Sequence, residues 1–334
     1  MKMLSILACP ICHNELRENN NMLFCVKCNT YFTKLGNVFS FICRNMYKDE
    51  ADYSEAQKIL DFWGNGWIKR LSEPDHKFIF DLDKTDLSNY ASEQVKIHKN
   101  MPAIIGNELG EGTITDKVAL NIGCGAGGES LMLAYLGAKC IGMDITNPAA
   151  AAADTLIKKL KGDDAGFGVQ ADSRFLPIKS DSVDVVYSSG VLHHSPDIKK
   201  SISEIYRVLK PGAKAFVMLY SRNSLLFITY RLKGLLSFKF NSKKYQKFLS
   251  DNSECAWLTS GQKNPYTETF TKGMSKNLFV NFRTVSIRKG SFNLTHFFLI
   301  HKYVSTKLLS NISNRYFRFL EPYLGACLYI TVEK

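Results

Sequence analysis

KVALNIGCGAGGESLMLAYLGAKCIGMDI, residues 117–145, decides the fold. A β-branched apolar run, Val118 to Ile122, leads into Gly123, Gly125, Gly127 and Gly128. An amphipathic run from Ser130 to Gly137 then leads into a second apolar strand that ends at Asp144. The pattern reads as strand, glycine turn, helix, strand. Glycines admit backbone angles closed to residues with a Cβ, and they let a ligand approach the main chain closely. An acid at the end of the second strand can accept hydrogen bonds from a ribose diol, in the crevice beyond the carboxyl ends of parallel strands. The unit therefore binds an adenosine-type cofactor.

The same letters satisfy two fingerprints. Gly123, Gly125 and Gly128, with Asp144 about twenty residues on, fit the dinucleotide pattern G-x-G-x-x-G. Gly123, Gly125 and Gly127 fit G-x-G-x-G, which resembles motif I of class I S-adenosylmethionine-dependent methyltransferases. Downstream context favours the second. A third strand, Gly166 to Gln170, is followed by ADSRFLPIKSDSVDVVYSSGVLHHSPD (171–197), which resembles the later motifs of that family. The resemblance covers residues 111–220 well and the rest more loosely.

The resemblance implies an α/β fold: a Rossmann-like sheet of seven strands with helices on both faces, the last strand antiparallel. It implies S-adenosylmethionine as cofactor, with the main chain at Gly123, Gly125 and Gly127 close to the methionine portion. Asp144, with Ile145 beside it, would hold the ribose; Asp172, followed by Ser173, would receive the adenine amine; Ser189 ends the fourth strand. Asn121 stands where the family usually has Asp or Glu, so backbone carbonyls would carry more of the methionine end. His193 and His194 follow the fourth strand, where the active site opens, and histidine titrates in the range a general base needs. Tyr220, ending the fifth strand, is a lesser candidate.

Residues 1–45 stand apart. Cys9 and Cys12 form one C-x-x-C pair and Cys25 and Cys28 another, twelve residues on, across a polar turn. Four thiolates so placed can close a tetrahedral site around a structural Zn²⁺, and metal binding would supply much of the folding free energy of so small a unit. The surrounding pattern resembles a small zinc ribbon. His13, next to a knuckle, reads as a bystander. Nine cysteines, four of them in such pairs, fit a reducing, cytoplasmic setting better than a disulfide framework.

Residues 46–110 read as a helical lead-in whose Gly64 and Gly66 mark a bend between two short helices, with a further helix over Ser92 to Gly106. Trp63, Trp67 and Arg70 are candidates for a lid, although ordinary packing is the favoured explanation of the two tryptophans. The remaining chain, 111–334, is the methyltransferase domain, with insertions at 221–264 and 290–324 beyond the minimal fold. NPYTETF (264–270) is polar enough to bring hydroxyls to the pocket.

The net charge of +12 is concentrated: residues 221–320 carry 17 Lys and Arg against 3 Asp and Glu. The leucine-rich stretches of that segment favour a greasy pocket for a small-molecule or lipid- or glycan-linked acceptor, with lysines at its mouth. RNA is the alternative substrate, and peripheral contact with an anionic membrane a further partner that such charge admits. No apolar run is long enough for a transmembrane segment.

Overall fold

The computed structural model describes residues 3–19, 21–100, 114–236, 247–251, 263–293, 312 and 316–334, with the backbone alone at 98–100 and 233–236. A short antiparallel meander comes first: β1 (Arg17–Asn19), β2 (Met22–Cys25) and β3 (Thr30–Phe32). The hairpin β4 (Lys34–Leu35) and β5 (Val38–Ser40) follows, then α1 (Glu50–Ser72), α2 (Pro74–Asp81) and α3 (Lys84–Asn100). The alternating part is β6 (Val118–Ile122), α4 (Gly128–Tyr135), β7 (Lys139–Asp144), α5 (Asn147–Lys161), β8 (Gly166–Gln170), β9 (Val183–Ser189), α6 (Ile198–Val208) and β10 (Leu209–Tyr220). The last described elements are α7 (Leu225–Leu236), α8 (Lys272–Leu278), β11 (Thr284–Gly290), α9 (Glu321–Leu324) and β12 (Cys327–Glu333).

One sheet of nine strands runs through the molecule in the order β11-β12-β10-β9-β6-β7-β8-β5-β4. Strands β10, β9, β6, β7, β8 and β5 are mutually parallel, and β12 lies antiparallel between β10 and β11. The chain leaves β6 towards β7 and β8, then returns to β9 on the other side of β6. The strand order reverses there, so a crevice opens at the end of β6, where such folds take ligands. Successive residues of β6 serve opposite faces. Ala119 joins the apolar cluster of Leu131 in α4 and Leu156 in α5, while Leu120 and Ile122 join that of Ile202 and Ile205 in α6.

Seven of these strands are the expected ones, and β5 and β4 are additional. The cysteine unit is thus continuous with the sheet: Phe39 and Ser40 of β5 pair in parallel with Val169 and Gln170 of β8. Leu7 bridges to Ile178, and the Phe41 N–H donates to the Gln170 carbonyl at 2.8 Å. Cys9 and Cys25 are fully buried in the same apolar cluster as Leu120 and Met143. The physical reason is composition: Leu7, Phe32, Phe39 and Phe41 give the unit more apolar surface than it can bury alone, and the open edge of β8 takes it.

The lead-in also differs from expectation. Helix α1 runs unbroken through Gly64 and Gly66, without a bend. Each internal glycine costs about 1 kcal/mol against alanine, but Asp49 caps the helix by accepting from the Asp52 N–H at 2.9 Å, and Ala56, Ile59 and Phe62 bury one face. Gly64 passes Thr146, where an added Cβ would lie 3.9 Å from the threonine methyl. Helix α3 starts at Lys84 rather than Ser92 because Asp83 accepts from the Asp86 N–H at 2.8 Å. Its expected end at Gly106 lies outside the described residues, as does most of 290–324 and much of 221–264. Among the described residues, no helix is long and apolar enough to cross a membrane.

Candidate active site

A cavity of about 520 Å³ lies beyond the carboxyl ends of β6 to β10, roofed by α1, α2 and α3. Its floor is the glycine turn. Gly123, Gly125 and Gly127 have φ of 73°, 52° and 85°, angles that favour glycine. Crowding adds to this: a Cβ on Gly123 would lie 2.1 Å from Val191, and one on Gly125 would lie 2.7 Å from the Trp67 ring.

The turn's own donors are largely consumed. The Gly123 and Cys124 N–H groups both reach the Met143 carbonyl, at 2.7 and 3.0 Å, and that of Gly127 reaches the Cys124 carbonyl at 2.8 Å. The Gly125 N–H donates to Asp144 Oδ2 at 3.1 Å. A pyrophosphate needs such groups as donors, whereas a sulfonium and an ammonium ask for acceptors. The turn therefore suits a cationic ligand better than a dinucleotide.

Three carboxylates line the cavity: Glu129, Asp144 and Asp172. Asp144 accepts from the Gly125 N–H and, through Oδ1, from both the N–H and the hydroxyl of Thr146, each at 2.9 Å. Burial nevertheless holds its carboxyl above the ordinary aspartate range. Asp172 is differently engaged. The Arg174 guanidinium donates to both its oxygens, at 2.8 to 3.2 Å, and the Tyr47 hydroxyl donates to Oδ2 at 3.3 Å. The Arg174 N–H also donates to Oδ1, at 2.9 Å. Five contacts from the protein thus fall on a group with about four lone-pair sites, and an adenine amine would have to displace one of them.

His194 lines the cavity between Trp63, whose ring centroid is 5.0 Å away, and the end of β10. Its Nδ1 lies 3.0 Å from the Tyr266 carbonyl and 3.2 Å from both Asn264 Nδ2 and Thr267 Oγ1. The Tyr266 carbonyl can only accept, so this shortest contact favours a proton on Nδ1 and a lone pair on Nε2, and the Asn264 amide, which can only donate, then gives its proton to Thr267 Oγ1 at 3.1 Å. The segment 264–270 thus brings the Thr267 hydroxyl to His194, but none of its residues lines the cavity itself. That segment is tied down by main-chain bonds from Phe270 to Tyr220 and from Glu268 to His193.

Of the expected cofactor residues, Gly123, Gly125, Asp144, Ile145, Asp172, Ser173 and Ser189 line the cavity. Three expected residues lie behind it. Asn121 is buried beneath the turn and donates to Ser130 Oγ at 2.9 Å, so its short side chain serves packing. Gly127 precedes the first turn of α4. His193 is fully buried, its ring 3.8 Å from that of Tyr220, and burial, with His194 beside it, pushes its pKa well below the ordinary value.

Sequence reasoning missed Glu129, Arg174, and the pair Tyr90 and Gln94 of α3. The last two had a signal in their helical i, i+4 spacing. Ile59, Trp63, Trp67 and Arg70 of α1 share one helical face and line the roof, a pattern obscured by reading a bend at the glycines.

At the opposite end of the chain, the sulfurs of Cys9, Cys12, Cys25 and Cys28 all lie within 4.8 Å of one another, and those of Cys12 and Cys25 are 3.5 Å apart. Four thiolates around a zinc ion at a Zn–S distance of about 2.3 Å sit about 3.8 Å apart, so the cluster fits the ion. His13 is exposed and outside the cluster.

Residues 120–217, which carry the glycine turn and the strand-end acids Asp144 and Asp172, match the family described as "Methyltransferase domain". Among curated proteins, the chain is similar to a sterol 4-C-methyltransferase of Caenorhabditis elegans, 37% identical over 29% of each chain. It is also similar to a ubiquinone biosynthesis O-methyltransferase of Hahella chejuensis, 31% identical over 43% of this chain and 61% of that one. A third is a chloroplastic tocopherol O-methyltransferase of Arabidopsis thaliana, 34% identical over 52% of this chain and 49% of that one. The chain spans between 29% and 61% of the length of these relatives.

Proposed function

We propose that this chain transfers the methyl group of S-adenosylmethionine to a small-molecule or lipid- or glycan-linked acceptor, and that Cys9, Cys12, Cys25 and Cys28 hold a structural Zn²⁺. The observation that carries the first part is the single cavity joining the glycine turn and Asp144 to His194 and Tyr220 beneath Trp63 and Trp67. Relatives named for sterol, ubiquinone and tocopherol methylation support an acceptor with a substantial apolar body.

When bound, S-adenosylmethionine supplies an electrophilic methyl on a sulfonium. The chain's part is to align and to remove a proton. Asp144 accepts from the ribose, and Glu129, with the carbonyls of the turn, offers negative charge to the methionine end. His194, which lines the cavity with Nδ1 facing the Tyr266 carbonyl, acts as general base through Nε2, an atom that is buried here and that a shift of the ring or of Trp63 uncovers for the acceptor. Trp63 and Trp67 cover the site and keep water from it.

Calorimetry with S-adenosylhomocysteine, with NADH as comparator, tests the cofactor; tighter binding of NADH would sink the assignment. Radiolabelled methyl transfer to a panel of phenolic, quinol and prenol probes tests the acceptor. His194→Gln should lower turnover roughly 10²- to 10⁴-fold while leaving S-adenosylhomocysteine affinity within a few-fold. The basic segment keeps RNA as the second reading: tight RNA binding at physiological salt with a steep salt dependence, and no transfer to any small probe, would favour it.

A further inference from the structure

Arg174 is 4% exposed and contacts two acids from different parts of the chain. One is Asp172, at the end of β8, bound through Nε and Nη2; the other is Asp52, in the first turn of α1, bound through Nη1 at 2.7 Å. The guanidinium also lies 5.3 Å from the Tyr47 ring. Burial alone would lower the Arg174 pKa, but the two carboxylates outweigh it and raise it, so the residue stays charged.

Asp52 lines no part of the cavity; its second oxygen accepts from the Lys48 N–H. It nevertheless begins the helix that roofs the cavity. Because α1 is unbroken over 23 residues, fixing its first turn sets the line of the whole element. Trp63 and Trp67 follow Asp52 by roughly 17 and 22 Å along the axis, at about 1.5 Å per residue, and the Trp67 ring packs on Gly125, 2.7 Å from where a Cβ would stand.

We infer that Arg174 is a positioning residue: by clamping Asp52 to Asp172 it sets how Trp63 and Trp67 close over the glycine turn, and Asp172 serves as a jaw of that clamp. Ligand affinity then depends on Asp52, a residue the ligand does not touch. The inference rests on the cavity being the cofactor site for its binding arm, but not for its second arm, which needs no ligand.

The test uses the full chain in a Trp257→Phe background, so that Trp63 and Trp67 alone emit. Asp52→Asn, which leaves the Arg174 pair with Asp172 in place and keeps a neutral acceptor for Nη1, should weaken S-adenosylhomocysteine binding about five- to tenfold, the scale of one ordinary hydrogen bond. Without ligand, it should make the two tryptophans more accessible to acrylamide. Arg174→Met should do the same more strongly, and Asp52→Glu should restore both readouts. Wild-type affinity and wild-type quenching in Asp52→Asn would overturn the clamp. If S-adenosylhomocysteine binds neither protein, the functional reading falls and the quenching result alone decides the clamp.

Discussion

The nine-stranded sheet is closed differently at its two edges. At one, β12 pairs with β10 and β11 over seven residues each, in registers that run from Cys327 to Glu333. At the other, β5 meets β8 over only two pairs, Phe39 with Val169 and Ser40 with Gln170. The first edge holds by ladder and core. The second has too short a ladder to hold itself, and relies on apolar burial around Cys9 and Cys25, beside which the four sulfurs cluster. It meets the Asp172 side of the cavity, since Phe41 is bonded to Gln170 and Tyr47 to Asp172, whereas the first edge meets the His194 side, where Tyr220 pairs with Cys327.

The largest effect should follow from breaking the short edge. A Cys9→Ser, Cys25→Ser double variant should lose one equivalent of zinc by elemental analysis, and its thermal midpoint should fall by roughly 10 °C or more, since metal binding and folding are one free energy here. Because β5 and Tyr47 sit on the cofactor side, S-adenosylhomocysteine affinity should fall as well. Unchanged zinc content refutes the ligand set; zinc lost with affinity intact shows that the two regions are energetically separate.

The opposite edge provides the contrast. Ile330 in β12 is fully buried between Val217 and Ile287. Ile330→Ala should cost about 2–5 kcal/mol by denaturant titration, from lost burial and a residual cavity, yet leave ligand affinity near wild type. A loss of affinity as large as that of the cysteine variant would erase the distinction between the edges.

The same contrast marks what was legible in the sequence. Local patterns were: the glycine turn, Asp144, the four cysteines and the positions of the parallel strands along the chain each follow from residue type and spacing within a few dozen positions, while their arrangement in the sheet was implied only by the family resemblance. What was not legible depends on distant partners. The attachment of the cysteine unit to β8 requires knowing that a parallel edge is left open for Phe39. The continuity of α1 depends on its cap and its buried face outweighing two glycines. Asn121 and Asp172 were assigned by position in a motif, but Ser130 and Arg174 decide where their side chains go.

Asp144 sharpens the comparison at the site itself. Asp144→Ala should weaken S-adenosylhomocysteine binding by about 1–3 kcal/mol, through the lost ribose contact and the loosened Gly125 N–H. The pH dependence has opposite signs for fold and ligand. Burial raises this carboxyl in the folded protein, so its contribution to stability is present at acid pH and is lost as pH rises through the folded value. Ligand binding needs the charged form, so affinity should fall on acidification from a pH above the ordinary aspartate range. Calorimetry across pH should show that fall in the wild type and a flatter profile in Asp144→Ala; parallel profiles would remove Asp144 from the ribose.

The smallest effect should come from the far side of His194. Thr267→Val removes the hydroxyl 3.2 Å from Nδ1 and takes an acceptor from Asn264 Nδ2, which lies 3.1 Å from it. Shape is nearly kept, so stability should fall by only about 1 kcal/mol. The Tyr266 carbonyl, 3.0 Å from Nδ1, is main chain and survives the change. If that carbonyl fixes the tautomer, turnover should drop only a few-fold, far less than in His194→Gln, with S-adenosylhomocysteine affinity unaltered. A Thr267→Val defect as deep as that of His194→Gln would mean that the hydroxyl, and not the carbonyl, orients the ring. The proton would then sit on Nε2, and His194 would face the acceptor as a donor and not as a base.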